Sequence, residues 1–211
     1  MDFKDVLYGR RAINFFDPGK PVSEALLDEI IGLAAQAPSG FNIQPWSLMV
    51  LRDQEEKLRL QKHAWNQFKI SAAPVTLIVL ADMDGWKTGN PFLEKNFQEM
   101  VRAGDMTADQ RQWFDGARES LYGASESRKV AFACKNTGFF AMSLMLAAKS
   151  IGVDTHPMDG FDMDAVRKEF KIPDHYWIPM LIAVGYFDAA KSLSPAKWRK
   201  TVREIQVRFD T

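Results

Sequence analysis

The sequence of 211 residues contains a single cysteine, Cys134, so an intramolecular disulfide is excluded. Its 27 basic and 27 acidic side chains give a formal net charge of zero, which provides no overall attraction to nucleic acid or to a membrane surface. The longest nearly uncharged apolar stretch, residues 138–148, is much shorter than the roughly 20 residues that span a bilayer. Asp2 and Lys4 lie where a signal peptide would need an apolar core. We therefore expect a cytoplasmic protein with no nucleic-acid or membrane partner.

Motifs for several kinds of catalysis are also missing. His63, His156 and His175 lack the spacing of zinc ligands, and one cysteine cannot build a structural zinc site, so no metal is expected. There is no Gly-x-Ser-x-Gly sequence for a serine nucleophile, and Cys134 lies in an apolar segment typical of an inert, packed thiol. The sequence contains neither a Walker A motif nor a Gly-x-Gly-x-x-Gly motif after a strand, the two glycine-rich sequences that bind phosphate. An enzyme without its own acid, nucleophile or metal commonly takes its chemistry from an organic cofactor.

The apolar content of 46% is sufficient for one sizeable core, and the length predicts a single α/β or α+β domain over residues 1–211. Apolar spacing predicts a helix that is capped by Ser23 and stopped by Pro38. The remaining patterns predict helices at 3–7, 54–63 and 125–150, a short helix from Asp162 or Asp164 to Phe170, and strands at 47–51, 75–81, 178–185 and 205–209. The helix 125–150 is apolar on nearly all sides, which predicts a position in the core or at a dimer interface.

A polar decapeptide, Ala37-Pro38-Ser39-Gly40-Phe41-Asn42-Ile43-Gln44-Pro45-Trp46, lies between the first long helix and the first strand. The side chains of Ser39, Asn42 and Gln44 can both donate and accept hydrogen bonds. Gly40 allows another group to approach the backbone closely. We therefore predict a loop that contacts a polar, planar partner.

Residues 82–123 are polar and poor in β-branched residues, yet they are rich in aromatic side chains. This composition predicts a helical segment that covers a pocket. Two interpretations remain open: the aromatic side chains face the pocket, or they pack the segment onto the body of the protein. The residues in question are Trp86, Phe92, Phe97, Trp113, Phe114 and Tyr122.

Cationic side chains occur in three groups, Arg10-Arg11, Lys69 and Lys197-Trp198-Arg199-Lys200. Each group alone is typical of a solvated surface. Guanidinium groups bind phosphate through two parallel hydrogen bonds, and lysine adds a point charge. Cations from both ends of the chain could therefore form one phosphate pocket built from side chains.

Several stretches together resemble, in order and spacing, the flavin-dependent nitroreductase family. They are Arg10-Arg11-Ala12-Ile13-Asn14, the decapeptide with its Pro-Ser-x-x-Asn-x-Gln-Pro-Trp signature, Asn66-Gln67-Phe68-Lys69, Pro157-Met158-Asp159-Gly160-Phe161, Ile182-Ala183-Val184-Gly185-Tyr186 and Lys197-Trp198-Arg199. The resemblance covers nearly the whole chain. It implies an α+β fold with a mainly antiparallel sheet flanked by helices. It also implies an intertwined homodimer with FMN at the interface, in which a C-terminal arm, residues 187–211, embraces the partner.

The resemblance also implies roles for individual residues. Arg10 and Arg11, with Lys197 and Arg199, would hold the phosphate and ribityl chain of FMN, while Ser39, Asn42 and Gln44 would reach the flavin bound by the other subunit. Asn66 or Gln67 would face the pyrimidine end of the flavin together with Lys69, which would stabilise negative charge there as the main catalytic side chain. Pro157, Asp159 and Gly160 would form a loop over the flavin face. Ala12, Asn14, Pro38, Gly40 and Met158 complete the cofactor-binding set.

Two residues depart from the family pattern. Ala12 replaces a common serine, which removes one phosphate contact, and Asp159 replaces a frequent glutamate, which shortens the carboxylate. The implied reaction is ping-pong hydride transfer from NADH or NADPH through flavin N5 to nitroaromatic or quinone acceptors. Candidate acceptor contacts are Phe41, Trp86, Phe92, Trp113, Phe114 and Tyr122. The alternatives are a reductive dehalogenase or flavin-fragmenting enzyme of the same fold, a non-catalytic protein that binds FMN or another anion, and a dimeric nucleic-acid-binding module.

Overall fold

A four-stranded antiparallel sheet lies at the centre of the computed structural model, which describes residues 2–209. The strands are β1 (Trp46–Leu51), β2 (Val75–Asp82), β3 (Asp154–Met158) and β4 (Tyr176–Gly185), in the order β1-β2-β4-β3. Strand β3 lies at one edge of the sheet. Ala12 forms an isolated parallel bridge with Thr155 of β3, which brings the N-terminal segment to this edge. The predicted α+β fold with a mainly antiparallel sheet is confirmed.

Nine α-helices are found within residues 2–209. They are α1 (Phe3–Gly9), α2 (Glu24–Ala34), α3 (Gln54–Lys62), α4 (Lys69–Ala72), α5 (Pro91–Ala103), α6 (Arg111–Arg118), α7 (Glu126–Ser150), α8 (Met163–Glu169) and α9 (Val202–Ile205). Several of these helices have an N-cap side chain. The side-chain oxygen of Ser23 accepts a hydrogen bond from the Leu26 amide (3.2 Å) at the start of α2, and that of Asp162 accepts one from the Ala165 amide (3.0 Å) at the start of α8. A single π-helical turn, Glu119–Gly123, follows α6.

The sheet is covered on both faces, which explains why β2 is a continuous apolar run. Leu77 and Val79 face a core formed with α2 and α7, whereas Ile78 and Leu80 face a second core with α3, α4 and α8. A third apolar cluster lies beneath residues 82–123, which we call the cover, and includes Trp86, Leu93, Phe97 and Phe114.

Helix α7 is long and apolar enough, by length and composition alone, to cross a membrane, and no other helix within residues 2–209 meets that test. A central helix of a folded domain meets it equally well. Phe140, Leu144 and Ala148 of α7 are buried in the first core, and Phe132 and Ala133 in the third. The prediction of a core helix is therefore confirmed for these residues, while Phe139 and Met142 remain exposed.

Several predicted boundaries were wrong. Helix α2 ends at Ala34, before Pro38, and a turn in which the Ala37 amide bonds to the Ala34 carbonyl (3.0 Å) separates them. Pro157 and Met158 belong to β3, where an edge strand tolerates proline. Pro179 lies inside β4, at an irregularity in the pairing with β2, where its missing N–H costs no ladder bond.

The strand predicted at 205–209 is also wrong. Thr201 caps the short helix α9 by accepting a hydrogen bond from the Glu204 amide (3.4 Å), and the residues after α9 form no strand up to Phe209. An apolar alternation produces a strand only where a neighbouring strand can accept its hydrogen bonds. Within residues 2–209 no strand lies beside this stretch. Residues 1, 210 and 211, at the ends of the predicted domain and arm, lie outside the described residues.

Candidate functional site

Cationic side chains from the two ends of the chain line one cavity of about 140 Å³. They are Arg10, Arg11, Lys197 and Arg199, and Ala12 and Asn14 line it with them. Within residues 2–209 none of these four cations forms an ion pair with an acidic side chain. Burial, and then the charges of Arg199 and Arg11, lower the pKa of Arg10. We call this the cationic cavity; an anion would relieve its uncompensated charge.

The cationic cavity is built against the edge of the sheet. The Ile13 amide donates to the Thr155 carbonyl (3.3 Å), and Nδ1 of His156 lies 2.7 Å from the Ile13 carbonyl oxygen. Arg11 donates to the Ser194 carbonyl, which attaches the C-terminal arm to the N-terminal segment. Chain ends far apart in sequence are thus held together by a side-chain-to-backbone hydrogen bond.

Lys69, Gln67 and Gly160 form a second part of the predicted site. Lys69 is the first residue of α4, and its Nζ donates to Oε1 of Gln67 (3.2 Å), whose Nε2 donates to the Gly160 carbonyl (2.8 Å). Burial lowers the pKa of Lys69. Burial, and then the charge of Lys69, also lower the pKa of His156. The neutral amide of Gln67 is the only hydrogen-bond acceptor of the Lys69 side chain within residues 2–209.

The rest of this region departs in part from the predicted roles. The side chain of Met158 is 4% exposed and packs in the second core, so only its backbone could contact a ligand. Asp159 is exposed, directly after β3, and Asn66 is exposed with a left-handed φ of 55°. Trp65 beside it is 76% exposed, and a Cβ at Gly160 would lie 2.7 Å from its ring. Gly160 therefore allows the indole to lie against the backbone.

The decapeptide forms a tight turn whose centre, residues 39–44, has an unusual backbone; we call it the loop 39–44. Phe41, Asn42 and Gln44 have left-handed φ values of 52°, 52° and 53°. Oγ of Ser39 accepts a hydrogen bond from the Gln44 amide (3.0 Å), so this hydroxyl stabilises the loop. Gly40 closely approaches another group, as its residue type predicts, and that group is the hydroxyl of Tyr122 in the cover. Pro38 is exposed at the start of the turn.

A larger cavity of about 420 Å³ lies between this loop and the cover. Asn42, Gln44, Asp82, Phe92 and Asn96 are among its lining residues. Burial raises the pKa of Asp82. The two cavities share no lining residue, so in one chain Asn42 and Gln44 face a different space from the four cations.

The aromatic side chains of the cover divide between the two interpretations. Phe114 is fully buried and Trp86 is 8% exposed, so they pack the cover onto the body, and the prediction that they contact an acceptor is not supported. Phe92 and Trp113 are 78% and 62% exposed and remain accessible. Phe41 is half-buried, with ring centroids of Trp113, Phe114 and Tyr122 at 6.2, 5.6 and 6.3 Å in edge-to-face geometry.

A sequence model described as the nitroreductase family matches residues 7–186. The chain belongs to the nitroreductase family. The YodC protein of Bacillus subtilis strain 168, named as a candidate NAD(P)H nitroreductase, is 32% identical over 193 residues, covering 91% of this chain and 90% of YodC. A protein of Thermus thermophilus named NADH dehydrogenase is 32% identical over 188 residues, or 88% of this chain and 87% of that one. These nitroreductase-family relatives support an oxidoreductase.

The fold of this nitroreductase-family chain also matches solved structures. A candidate nitroreductase from Exiguobacterium sibiricum 255-15, crystallised in complex with FMN, superimposes with a TM-score of 0.83 at 28% identity, covering 98% of this chain and 96% of that one. The family and fold that the sequence predicts are thus confirmed.

The nitroreductase-family motifs do not include four residues that the structure adds to the site. Trp65 and His156 lie beside Gly160 and Lys69, while Asn96 and Asn136 hold the loop 39–44. For Trp65, its position directly before the Asn66-Gln67-Phe68-Lys69 stretch was a signal in the sequence. The two asparagines had no signal, because a polar residue on a helix is usually solvated and these are buried.

Proposed function

We propose that this chain is an FMN-dependent oxidoreductase that takes hydride from NADH or NADPH and delivers it to nitroaromatic or quinone-type acceptors in a ping-pong reaction. The observation that carries the proposal is the cationic cavity, whose four cations have no acidic partner within residues 2–209. The FMN in the Exiguobacterium structure and the NAD(P)H in the name of YodC support the choice of cofactor and donor.

The residues present fit FMN by their chemistry. A phosphate monoester carries close to two negative charges at neutral pH, and unpaired guanidinium groups are its preferred protein partners. Arg10, Arg11, Lys197 and Arg199 would hold the phosphate. Lys69 would lie at the end of the ring system that becomes more negative on reduction, because a cation stabilises charge that develops next to it. Gln67 orients the ammonium group, and Gly160 fixes Gln67.

FMN, when bound, supplies reversible two-electron transfer between a nicotinamide and an acceptor. The protein residues would bind FMN, orient its ring system and stabilise the charge that develops on it. Ala12 offers no hydroxyl to the phosphate, so the cations carry that contact alone. Phe41, Phe92, Trp113 and Tyr122 are the accessible aromatic side chains that an aromatic acceptor could stack against.

We also propose that the active unit is a homodimer with FMN at the interface. In one chain Asn42 and Gln44 face the larger cavity and not the cationic cavity, which is what a site shared between subunits requires. The arm also exposes large apolar side chains that a partner would bury, namely Trp198, Val202, Ile205, Val207 and Phe209. A single domain over residues 1–211 and a cytoplasmic location complete the proposal.

The proposal is tested first by the colour of the purified protein and by release of FMN on denaturation. A colourless protein that does not take up added FMN would contradict it. Anaerobic mixing with NADH and with NADPH should bleach the flavin, and a second mixing with nitroaromatic or quinone acceptors should restore its absorbance, with halogenated acceptors as the comparison. Bleaching without reoxidation by the first two classes points to a dehalogenase, loss of the flavin spectrum to a flavin-fragmenting enzyme, and no bleaching to a non-catalytic protein. Light scattering should give twice the 24.0 kDa chain mass.

A further inference from the structure

The backbone of the loop 39–44 is strained. Phe41, Asn42 and Gln44 are all left-handed, a conformation that residues other than glycine adopt rarely. Such conformations persist only when the surrounding structure over-determines them. The groups that hold this loop are therefore part of whatever function the loop serves.

Two buried asparagines from different helices supply three of the hydrogen bonds that hold the loop. Asn96 of α5 is 8% exposed, and its Nδ2 donates to the Phe41 carbonyl (2.8 Å) while its Oδ1 accepts from Nδ2 of Asn42 (2.9 Å). Asn136 of α7 is fully buried, and its Oδ1 accepts from the Gly40 amide (3.1 Å). Both ends of the Asn96 amide are thus bonded to the two adjacent left-handed residues.

The apolar surroundings of Asn96 indicate that its amide is explained by the hydrogen bonds to the loop 39–44 and not by the packing of α5. Leu93 and Phe97 on the same helix pack in the third apolar cluster, so a leucine at residue 96 would suit that environment. A buried amide is costly unless it is fully hydrogen-bonded, and its bonds here run to the loop 39–44 alone. Asn96 also lines the larger cavity, where it is within reach of a ligand held between the loop and the cover.

We propose that Asn96 is a positioning residue that holds the loop 39–44 in its left-handed shape from the cover. The loop and the cover then respond as one unit. A displacement of α5 breaks the bonds to Phe41 and Asn42 and changes how tightly the loop binds cofactor, a consequence that rests on the proposed function. The occupant of the larger cavity and the affinity for cofactor are coupled through the Asn96 side chain.

The test compares Asn96→Leu with Leu93→Ala. Asn96→Leu removes both bonds to the loop and keeps the branching and the number of heavy atoms of the side chain. Leu93→Ala weakens the packing of the same helix and leaves those bonds in place. We expect amide hydrogen exchange at Gly40, Asn42, Ile43 and Gln44, whose amides are all bonded within the loop or to Asn136, to become about tenfold faster in Asn96→Leu only. The dissociation constant for FMN, titrated into apoprotein, should rise by about the same factor.

Asn96→Asp serves if Asn96→Leu does not fold, because it keeps the acceptor for Asn42 and loses the donor to Phe41. The same changes are then expected at no smaller size, because the buried carboxylate also places a negative charge beside the Phe41 carbonyl. Unchanged loop exchange in both residue 96 variants, or equal loss of FMN affinity in Leu93→Ala, would overturn the positioning role. If the unaltered protein does not bind FMN, the proposed function fails, and the exchange rates still decide whether Asn96 holds the loop.

Discussion

The arginine side chains of the cover and those of the cationic cavity have different partners. In the cover, Arg111 donates to both carboxylate oxygens of Glu94 (2.6 and 2.7 Å) and to Asp115 (2.8 Å). Arg118, only 1% exposed, donates to Asp115 and to the Trp86 carbonyl. These two cations and two carboxylates form a neutral network that ties α5, α6 and the start of the cover together.

The arginines of the cationic cavity have the opposite surroundings. Burial and then the charge of Arg199 lower the pKa of Arg10, and neither arginine has an acidic partner within residues 2–209. Repulsion of this kind costs stability and is retained where a ligand offsets it. The comparison teaches that residue type does not assign a role to an arginine: paired guanidinium groups hold the structure, and unpaired ones are available to an anion.

The largest effect is expected from breaking the paired region. Arg118→Met leaves the Trp86 carbonyl without its donor and Asp115 with one cation instead of two. We expect the free energy of unfolding to fall by about 3 kcal/mol, measured by chemical denaturation. Arg102→Met is the control, because Arg102 pairs with Glu99 at the surface and is 77% exposed, and it should cause no measurable loss. Equal stability of the two variants would refute the structural role of the network.

A smaller effect is expected from neutralising the unpaired region. Arg10→Gln should weaken FMN binding about thirtyfold, or about 2 kcal/mol, because one charged phosphate contact is lost. The unfolding free energy of the apoprotein should stay constant or rise, because repulsion from Arg199 and Arg11 is relieved. Riboflavin, which has no phosphate, is the control ligand, and its affinity should not change. A parallel loss of riboflavin affinity would show that Arg10 acts on the shape of the site.

Lys69 is intermediate between the paired and the unpaired arginines, because its side chain donates a hydrogen bond to the neutral amide of Gln67. Lys69→Met should lower the midpoint potential of bound flavin by about 30 mV, which corresponds to about 1.4 kcal/mol for two electrons. Lys62→Met, which removes an exposed lysine at the end of α3, should leave the potential unchanged. An unchanged potential in the Lys69 variant would contradict its electrostatic role.

Elements with strong local patterns could be predicted from the sequence. The apolar run of β2 and the length of α7 are examples, and their boundaries agree with the structure to within a residue. Strand β3 was missed, because it is five residues long, contains Pro157 and is recognisable only by its pairing with β4. The false strand at 205–209 shows the converse, since a local pattern does not supply a neighbour.

The candidate site divides in the same way. The convergence of Arg10 and Arg11 with Lys197 and Arg199 was predicted from the resemblance to the nitroreductase family, because charge pattern alone showed only that cations from both ends of the chain could meet. The hydrogen bonds from Asn96 to the loop 39–44 could not be, since they join residues more than fifty positions apart and depend on where the cover packs. The burial of Phe114 could not be predicted either, because amino-acid composition does not show which aromatic side chains face the core.

The contact between Gly40 and Tyr122 has a practical consequence for protein engineering. Any side chain at residue 40 would collide with the Tyr122 hydroxyl, so the two positions constrain each other. Consider a chimaera in which the cover of a relative replaces residues 82–123 of this chain. A residue larger than glycine at position 40 should be tolerated only if the new cover has a smaller side chain at the position of Tyr122. An exchange of the cover between such proteins therefore needs to include the loop 39–44.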